Sequence, residues 1–142
     1  MRIPIMTASN LTVPARADQL AVIGDFVTTA AQAAGLGERA TYHVQAAVDE
    51  ACANVIYHAY EYEGQGPIEV CCECKRNDFV VTITDYGRSF DPSSVPVPDT
   101  SAGLDDRKEG GLGLFLIHKL MDEVHYQFNT HRNVRTLVKR LR

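Results

Sequence analysis

A carboxylate and a carboxamide one helical turn apart form the stretch of this sequence with the clearest capacity for chemistry. Glu50 and Asn54 are four residues apart in the apolar-striped stretch 44–61, so both side chains lie on one side of the predicted helix. A carboxamide oxygen is a hard, neutral ligand that suits Mg²⁺, and a carboxylate beside it can accept a proton or orient a water. The pair therefore indicates phosphate chemistry, with a solvated amphipathic helix face as the alternative.

A second candidate lies at the end of an alternating apolar segment, where Asp85 is followed by Gly87. A carboxylate at a strand end can accept a hydrogen bond from an exocyclic amine such as that of adenine. The glycine lets a flat ligand or a backbone approach without interference from a Cβ atom. Taken alone, Asp-x-Gly is also typical of an ordinary turn.

Glycines at positions 110, 111 and 113 open an apolar helix pattern. Backbone N–H groups converge at such a start, and the helix N-terminus adds partial positive charge, so a phosphate chain is the ligand that this pattern favours. No Gly-Lys-Ser/Thr follows, and the spacing does not match a dinucleotide fingerprint. The preceding residues 92–109 show no periodicity, and a loop of that length in a compact domain is typically functional.

The elements that must position these residues follow from periodicity and turn signals. The order strand, two helices, two strands, loop, helix and two strands predicts an α+β fold, with helices layered on one face of a mainly antiparallel sheet. We expect one domain over residues 1–142. The predicted strands cover residues 3–13, 68–75, 79–84, 123–129 and 135–141, and the predicted helices cover 17–34, 38–60 and 112–121.

Composition excludes several classes of function. The formal net charge is −4 and no basic run is present, so direct nucleic-acid binding is not indicated. No apolar run reaches membrane-spanning length and no signal peptide begins the chain, which predicts a cytoplasmic protein without membrane contact. Cys71, Cys72 and Cys74 fall in a strand pattern without a second ligand pair, so they resemble small core hydrophobes more than a zinc site.

In this order the motifs resemble the ATPase superfamily shared by DNA gyrase, the heat-shock chaperone, histidine kinases and the mismatch-repair ATPase. The details resemble one branch of it, the anti-sigma-factor serine kinases, over nearly the whole chain. The residues that carry this resemblance are Asp-Glu-Ala-Cys-Ala-Asn at 49–54, His-Ala-Tyr at 58–60, Asp-Tyr-Gly-Arg-Ser-Phe-Asp-Pro at 85–92, Gly-Gly-Leu-Gly-Leu-Phe-Leu-Ile at 110–117 and Met-Asp-Glu-Val at 121–124.

The resemblance implies the Bergerat-type ATP-binding fold, a two-layer sandwich, with ATP and Mg²⁺ as cofactors. Asn54 would bind Mg²⁺ and Glu50 would act as the general base toward the accepting hydroxyl. Asp85 would accept a hydrogen bond from the adenine amine. Gly87 would let the base lie against the backbone, and the hydroxyl of Thr136 would help to bind the adenine. Gly111 and Gly113 would line the phosphates, and residues 92–109 would form a lid over them.

The resemblance also implies partners, namely a sigma factor and an anti-anti-sigma protein of the STAS type that is phosphorylated on a hydroxyl. Two alternatives stay open: a nucleotide-dependent switch without phosphate transfer, and a catalytic domain of the histidine kinase type acting in trans. A homodimer is also left open. One departure is that Arg135-Thr136 stands where the family has Gly-Thr, which keeps the threonine but replaces the glycine before it with a residue of restricted backbone conformation.

Overall fold

A computed structural model describes residues 8–89 and 111–141. Its five strands are β1 (Ser9–Pro14), β2 (Pro67–Lys75), β3 (Asp78–Asp85), β4 (Glu123–Phe128) and β5 (Asn133–Arg140), and its three α-helices are α1 (Leu20–Ala34), α2 (Glu38–Asn54) and α3 (Gly111–Leu120).

The strands form one sheet in the order β1-β2-β3-β5-β4, and every pairing is antiparallel. Alternation along each strand sends one set of side chains toward the helices and the other set to the far face. Ile68, Val70 and Cys72 of β2 are buried on the helix-covered face. The helices therefore cover one face of an antiparallel sheet, as the predicted fold class requires.

Helices α1 and α2 form a hairpin that closes through a glycine. Gly35 has φ 93°, and its N–H donates to the carbonyl oxygens of Ala31 and Gln32. The left-handed backbone conformation of Gly35 lets its N–H bond carbonyl oxygens at the end of α1 that would otherwise lack partners. Glycine adopts this conformation without steric cost. Val27 and Val44, one from each helix, are fully buried in the layer between the helices and the sheet.

Two details differ from the sequence-based expectation. The predicted helix 38–60 is α-helical only to Asn54 and continues as a π-helical segment, Val55–Ala59. Helix α3, whose sequence is apolar nearly all round and favours deep burial, buries Leu114 and Ile117 while His118 is exposed, so it lies at the margin of the helical layer. None of the helices in the described part of the chain is long and apolar enough to cross a membrane.

Candidate active site

Helices α2 and α3 bring the first and third motifs into contact. A Cβ atom built on Gly113 would lie 2.9 Å from Oε2 of Glu50 and 3.8 Å from the carboxamide atoms of Asn54. The helix that begins with the glycine motif thus lies directly against the turn of α2 that carries both polar side chains. Glycine at position 113 lets the carboxylate and the carboxamide approach the first turn of α3, where N–H groups lack helical partners.

Glu50 and Asn54 are half-buried at the edge of the helical layer. Within residues 8–89 and 111–141, neither side chain forms a hydrogen bond or an ion pair. Their oxygen atoms are therefore available to a ligand at the start of α3. A carboxamide oxygen beside a helix N-terminus fits a hard cation that is held jointly with phosphate oxygens.

The carboxyl end of α2 is joined to the turn that follows β3. A Cβ atom on Gly87 would overlap the carbonyl oxygen of Ala59, so only glycine lets the two backbones come this close. The backbone N–H of Arg88 donates to that same Ala59 oxygen at 2.7 Å, and Nη2 of Arg88 donates to the carbonyl oxygen of His58 at 2.9 Å. The close approach that Gly87 permits is thus made by the protein's own π-helical segment.

Tyr60 ties the same turn to β2. Its hydroxyl accepts from the N–H of Tyr86 at 2.9 Å and donates to the carbonyl oxygen of Pro67 at 2.7 Å. A Cβ atom on Gly66 would overlap the Tyr60 ring, so this glycine makes room for the aromatic side chain. Burial raises the pKa of the Tyr60 phenol, which keeps its proton as the donor to Pro67.

Asp85 is fully buried, and its carboxylate is held from three directions. Oδ1 accepts from the N–H of Gly87 and from Nδ2 of Asn133, both at 2.9 Å, and Oδ2 accepts from Nη1 of Arg135 at 2.6 Å. The Arg135 side chain is itself buried, and its guanidinium lies over the Phe128 ring with Cζ 5.6 Å from the centroid. A carboxylate can be buried here because an opposite charge and two further donors compensate its lost hydration.

The side chain of Asn133 is oriented by the acceptors around it. Its Nδ2 donates to Asp85 Oδ1 and to the carbonyl oxygen of Arg88, each at 2.9 Å, which fixes which end of the amide is nitrogen. Oδ1 of Asn133 is buried and has no hydrogen-bond partner in the described part of the chain. A buried acceptor without a partner is costly, so a donor from water or ligand would be favourable at this point.

Cys52 packs beneath this cluster and carries no exposed surface. Burial raises the pKa of its thiol to about 12, and the opposing effect of the nearby Arg135 charge is smaller. A thiol with such a pKa is protonated and unreactive at neutral pH. Cys52 therefore acts as a small core side chain, in line with the prediction made for Cys72, whose pKa burial also raises to about 12.

The structure does not bring Thr136 to this site. Side chains alternate along β5, so Asn133 and Arg135 share the helix-covered face with Asp85, whereas Thr136 lies on the far face of the sheet between Thr82 and His125. Sequence reasoning had assigned no role to Asn133 and had considered Arg135 only as a departure in the backbone. The available signal was the carboxylate at the end of a core strand, which requires a donor from a neighbouring strand.

The other predicted positions fall partly within the described residues. Gly111 begins α3, in agreement with the predicted helix start. His58, whose role the sequence left open, is exposed, and its carbonyl oxygen rather than its ring takes part in the link to Arg88. The proposed lid, residues 92–109, lies outside the described residues, and so do Arg107 and Lys108 within it, whose roles the sequence left open.

Comparison with known proteins decides the family. Residues 13–139 match the model of the histidine kinase-like ATPase domain. The chain belongs to this family. The histidine kinase-like ATPase domain binds ATP, so the contact between Glu50, Asn54 and Gly113 lies within an ATP-binding fold.

Curated relatives narrow the assignment to one branch of the family. The chain is 37% identical over 128 residues to the serine-protein kinase RsbW of Halalkalibacterium halodurans, which covers 87% of this chain and 78% of that protein. It is 35% identical over 120 residues to RsbW of Staphylococcus aureus, covering 81% and 76%, and 32% identical over 119 residues to RsbW of Bacillus cereus, covering 81% and 74%. The predicted resemblance to anti-sigma-factor serine kinases is confirmed, and so is the predicted enzyme class, a protein serine kinase.

Solved structures agree on the fold. The RsbU and RsbW domains of a Mycobacterium tuberculosis protein match 95% of this chain with a TM-score of 0.70 at 14% identity, although this chain spans only 32% of that longer chain. The histidine kinase domain of a blue-light activated kinase from Erythrobacter litoralis matches 91% of this chain and 62% of its own, with a TM-score of 0.56 at 16% identity. The predicted α+β fold class is thereby confirmed.

Proposed function

We propose that this kinase binds a sigma factor and transfers the terminal phosphate of ATP to a serine or threonine hydroxyl of an anti-anti-sigma protein of the STAS type. One observation carries the proposal. The carboxylate of Glu50 and the carboxamide of Asn54 lie together against Gly113, at the start of a helix that can hold phosphate. The names of the relatives supply the class of acceptor, a serine in a protein.

The phosphate end of the site would consist of Asn54, Gly111 and Gly113. Asn54 would contribute one oxygen ligand to Mg²⁺, with phosphate oxygens and waters completing the octahedron. Bound Mg²⁺ would neutralise charge that accumulates on the phosphates during transfer. Free N–H groups at the start of α3 would bind the phosphates directly, and residues 92–109 would close over them as a lid.

The base end would be Asp85 with the turn that contains Gly87. The carboxylate would accept a hydrogen bond from the exocyclic amine of adenine, whereas guanine presents a carbonyl oxygen at the equivalent position. We therefore expect ATP to bind in preference to GTP. Equal calorimetric affinities for the two nucleotides would contradict the assignment of Asp85.

Glu50 would accept the proton of the attacking hydroxyl. In that step the hydroxyl oxygen forms a bond to the terminal phosphorus, and the bond between this phosphorus and the oxygen bridging to the second phosphate breaks. ADP leaves with the electron pair, and the proton passes to the Glu50 carboxylate. The protein mainly positions the groups and balances charge, because phosphoryl transfer requires little covalent participation by the enzyme.

The proposal includes the cellular setting. The kinase would act in the cytoplasm, where its sigma factor operates, as one domain and without contacting nucleic acid itself. A homodimer is compatible with this arrangement.

Replacement of Glu50 by glutamine tests the proposed function. Glu50→Gln keeps size and hydrogen-bonding capacity but removes basicity, so single-turnover transfer to the antagonist should fall by about two orders of magnitude or more. Affinity for ATP should stay within a few-fold and partner binding should survive. Mass spectrometry of the labelled antagonist identifies the acceptor residue.

Three results would contradict parts of this proposal. Undiminished transfer in Glu50→Gln would mean that another residue is the base. Absence of transfer in the unmodified protein, with nucleotide-dependent partner binding intact, would favour the switch. Label on histidine would favour a catalytic domain of the histidine kinase type.

A further inference from the structure

Arg135 contacts the oxygen of Asp85 that has room for one more hydrogen bond. Oδ1 of Asp85 already accepts two hydrogen bonds, from Gly87 N–H and Asn133 Nδ2, which use both of its lone pairs. Among the residues that the structure describes, Oδ2 accepts one hydrogen bond, from Nη1 of Arg135 at 2.6 Å, which leaves it one lone pair. An exocyclic amine can therefore reach this carboxylate only at Oδ2, next to the guanidinium.

The guanidinium is fixed in that place by its surroundings. Arg135 is 4% exposed, and its Cζ lies 5.6 Å from the centroid of the Phe128 ring on the neighbouring strand. It carries five N–H donors in a planar fork, of which the contact with Asp85 engages Nη1. Further donors of the same rigid group thus lie beside the Asp85 acceptor.

A donor beside an acceptor matches the edge of adenine. Adenine presents an amino donor at C6 and, directly adjacent, an acceptor at ring nitrogen N1. Guanine presents the reverse order, a carbonyl oxygen and then an N–H. Asp85 and Arg135 side by side form the complement of the adenine edge, and Thr136 cannot contribute because it faces the other side of the sheet.

We propose that Arg135 is a second base-reading residue, which donates an N–H to N1 of adenine while Asp85 accepts from the amine. The proposal rests on the ATP site proposed at Asp85 and assigns its specificity to a pair of side chains instead of one. The guanidinium keeps its hydrogen bond from Nη1 to Oδ2 and donates another of its N–H groups to the base.

The contact between Arg135 and N1 of adenine is tested by a double-mutant cycle in which one change is made in the ligand and the other in the protein. Binding of ATP and of 1-deaza-ATP, in which N1 is replaced by C–H, is measured by calorimetry for the full chain and for Arg135→Met at one salt concentration. In the unmodified protein, loss of N1 should weaken binding about tenfold or more, as expected for a hydrogen bond to a charged donor. In Arg135→Met, ATP affinity should fall by a similar factor and the two ligands should bind alike.

Two further variants serve as controls. Arg140→Met removes the same charge at the other end of β5, where the arginine contacts Asp122 and Glu123, and it should keep the unmodified preference for ATP over the deaza analogue. Arg135→Lys retains a buried positive charge for Asp85 but replaces the planar fork, whose N–H groups point side by side at fixed positions, with a single compact ammonium. If Arg135→Met fails to fold by thermal melting, a reduced N1 dependence in Arg135→Lys takes its place.

Each remaining outcome overturns the inference. An N1 dependence that is unchanged in the folded Arg135 variants would show that Arg135 does not contact the base. Tighter ATP binding by Arg135→Met with the same N1 dependence would make the guanidinium only a competitor for Asp85. Failure of the unmodified chain to bind either ligand would overturn the proposed ATP site itself, which distinguishes the two proposals.

Discussion

The two ends of the proposed active site, the base end at Asp85 and the phosphate end at Glu50 and Asn54, are built in opposite ways. At the base end, Asp85 is fully buried and its carboxylate is held by Gly87, Asn133 and Arg135. At the phosphate end, Glu50 and Asn54 are half-buried and form no hydrogen bond within the described residues. The base end is part of the folding core, whereas the phosphate end is supported by the fold without contributing much to it.

The difference follows from what each end has to do. A carboxylate that recognises a base must keep one orientation, and a network of buried partners provides it. Loss of any one of these partners destabilises the fold. A base that accepts a proton must stay free to meet a substrate and a metal. Substitutions at the two ends should therefore separate stability from activity.

Asp85→Ala should have the largest effect. It leaves the guanidinium of Arg135 buried without its partner, and breaking one side of a buried ion pair costs about 3–5 kcal/mol of unfolding free energy. ATP binding should be lost as well. Chemical denaturation measures the first effect and calorimetry the second.

Asp78→Ala provides the control, since it removes the same charge from the other end of β3 at a half-buried position. We expect it to change stability by less than about 1 kcal/mol. A similarly small change in Asp85→Ala would mean that the base end is not part of the core, and the comparison between the two ends would fail.

A matched pair of glycine substitutions sharpens the comparison. The new methyl group of Gly87→Ala meets the backbone oxygen of Ala59, which cannot move aside, so we expect a loss of about 1–3 kcal/mol in stability. The methyl group of Gly113→Ala meets the end of the flexible Glu50 side chain at 2.9 Å. Stability should be unchanged or higher by up to about 1 kcal/mol, because alanine favours a helix over glycine.

Gly113→Ala should reduce phosphate transfer although it leaves stability intact. Displacement of the Glu50 carboxylate by about 1 Å should slow single-turnover transfer about 100-fold while the fold stays intact. Denaturation and transfer assays on both glycine variants measure the contrast. Wild-type transfer in Gly113→Ala would show that the proximity of Glu50 to the start of α3 has no catalytic meaning.

Asn54→Ala should have a smaller effect that is confined to the metal. We expect the Mg²⁺-dependent part of ATP affinity to fall about tenfold, while binding measured in chelator stays nearly unchanged. Thermal stability should also be preserved, since Asn54 lies half-exposed on the helix. Tight binding of Mg²⁺ to the nucleotide-free protein would contradict the view that Asn54 acts together with phosphate.

The smallest expected effect concerns a histidine away from both ends. Burial, followed by the charges of Lys139 and Arg39, lowers the pKa of His43 below its ordinary 6.5. Below about pH 6.5 the unfolded chain binds a proton that the folded chain resists, so stability falls as the pH decreases through this range. His43→Gln should flatten that slope in melts between pH 5 and 7, whereas replacement of the exposed His131 should leave it in place.

Strong local patterns made most of the fold predictable from sequence. The alternation Ile68, Val70, Cys72 marks one face of β2, and the glycines around position 35 end α1, so both elements lie where they were expected. The contact between the motifs at 50–54 and 111–113 was expected only through the resemblance, because long-range packing leaves no periodic signal.

The orientation of β5 could not be read from its sequence. Leu137 and Val138 are both apolar and stand between the polar residues Thr136 and Lys139, so the period of two fits either face equally well. The choice depends on the buried carboxylate of Asp85, which selects the face that carries Arg135 and not Thr136. The π-helical segment Val55–Ala59 could not be predicted either, since its residue types do not differ from those of an α-helix and its end contacts Gly87, about thirty positions away.

The hydrogen bonds from Arg88 to the end of the π-helical segment have a consequence for local unfolding. The Arg88 amide donates to Ala59 and the Tyr86 amide to Tyr60, so the strand-end turn and the last helical turn cannot open separately. Two motifs about thirty positions apart in the chain therefore open as one cooperative unit. Hydrogen exchange of the Arg88 amide should consequently measure how often the π-helical segment opens, although Arg88 lies outside that segment. We therefore expect a ligand bound at Asp85 to lower the opening frequency of the helix that carries Asn54, which would couple the two ends without a change in mean structure.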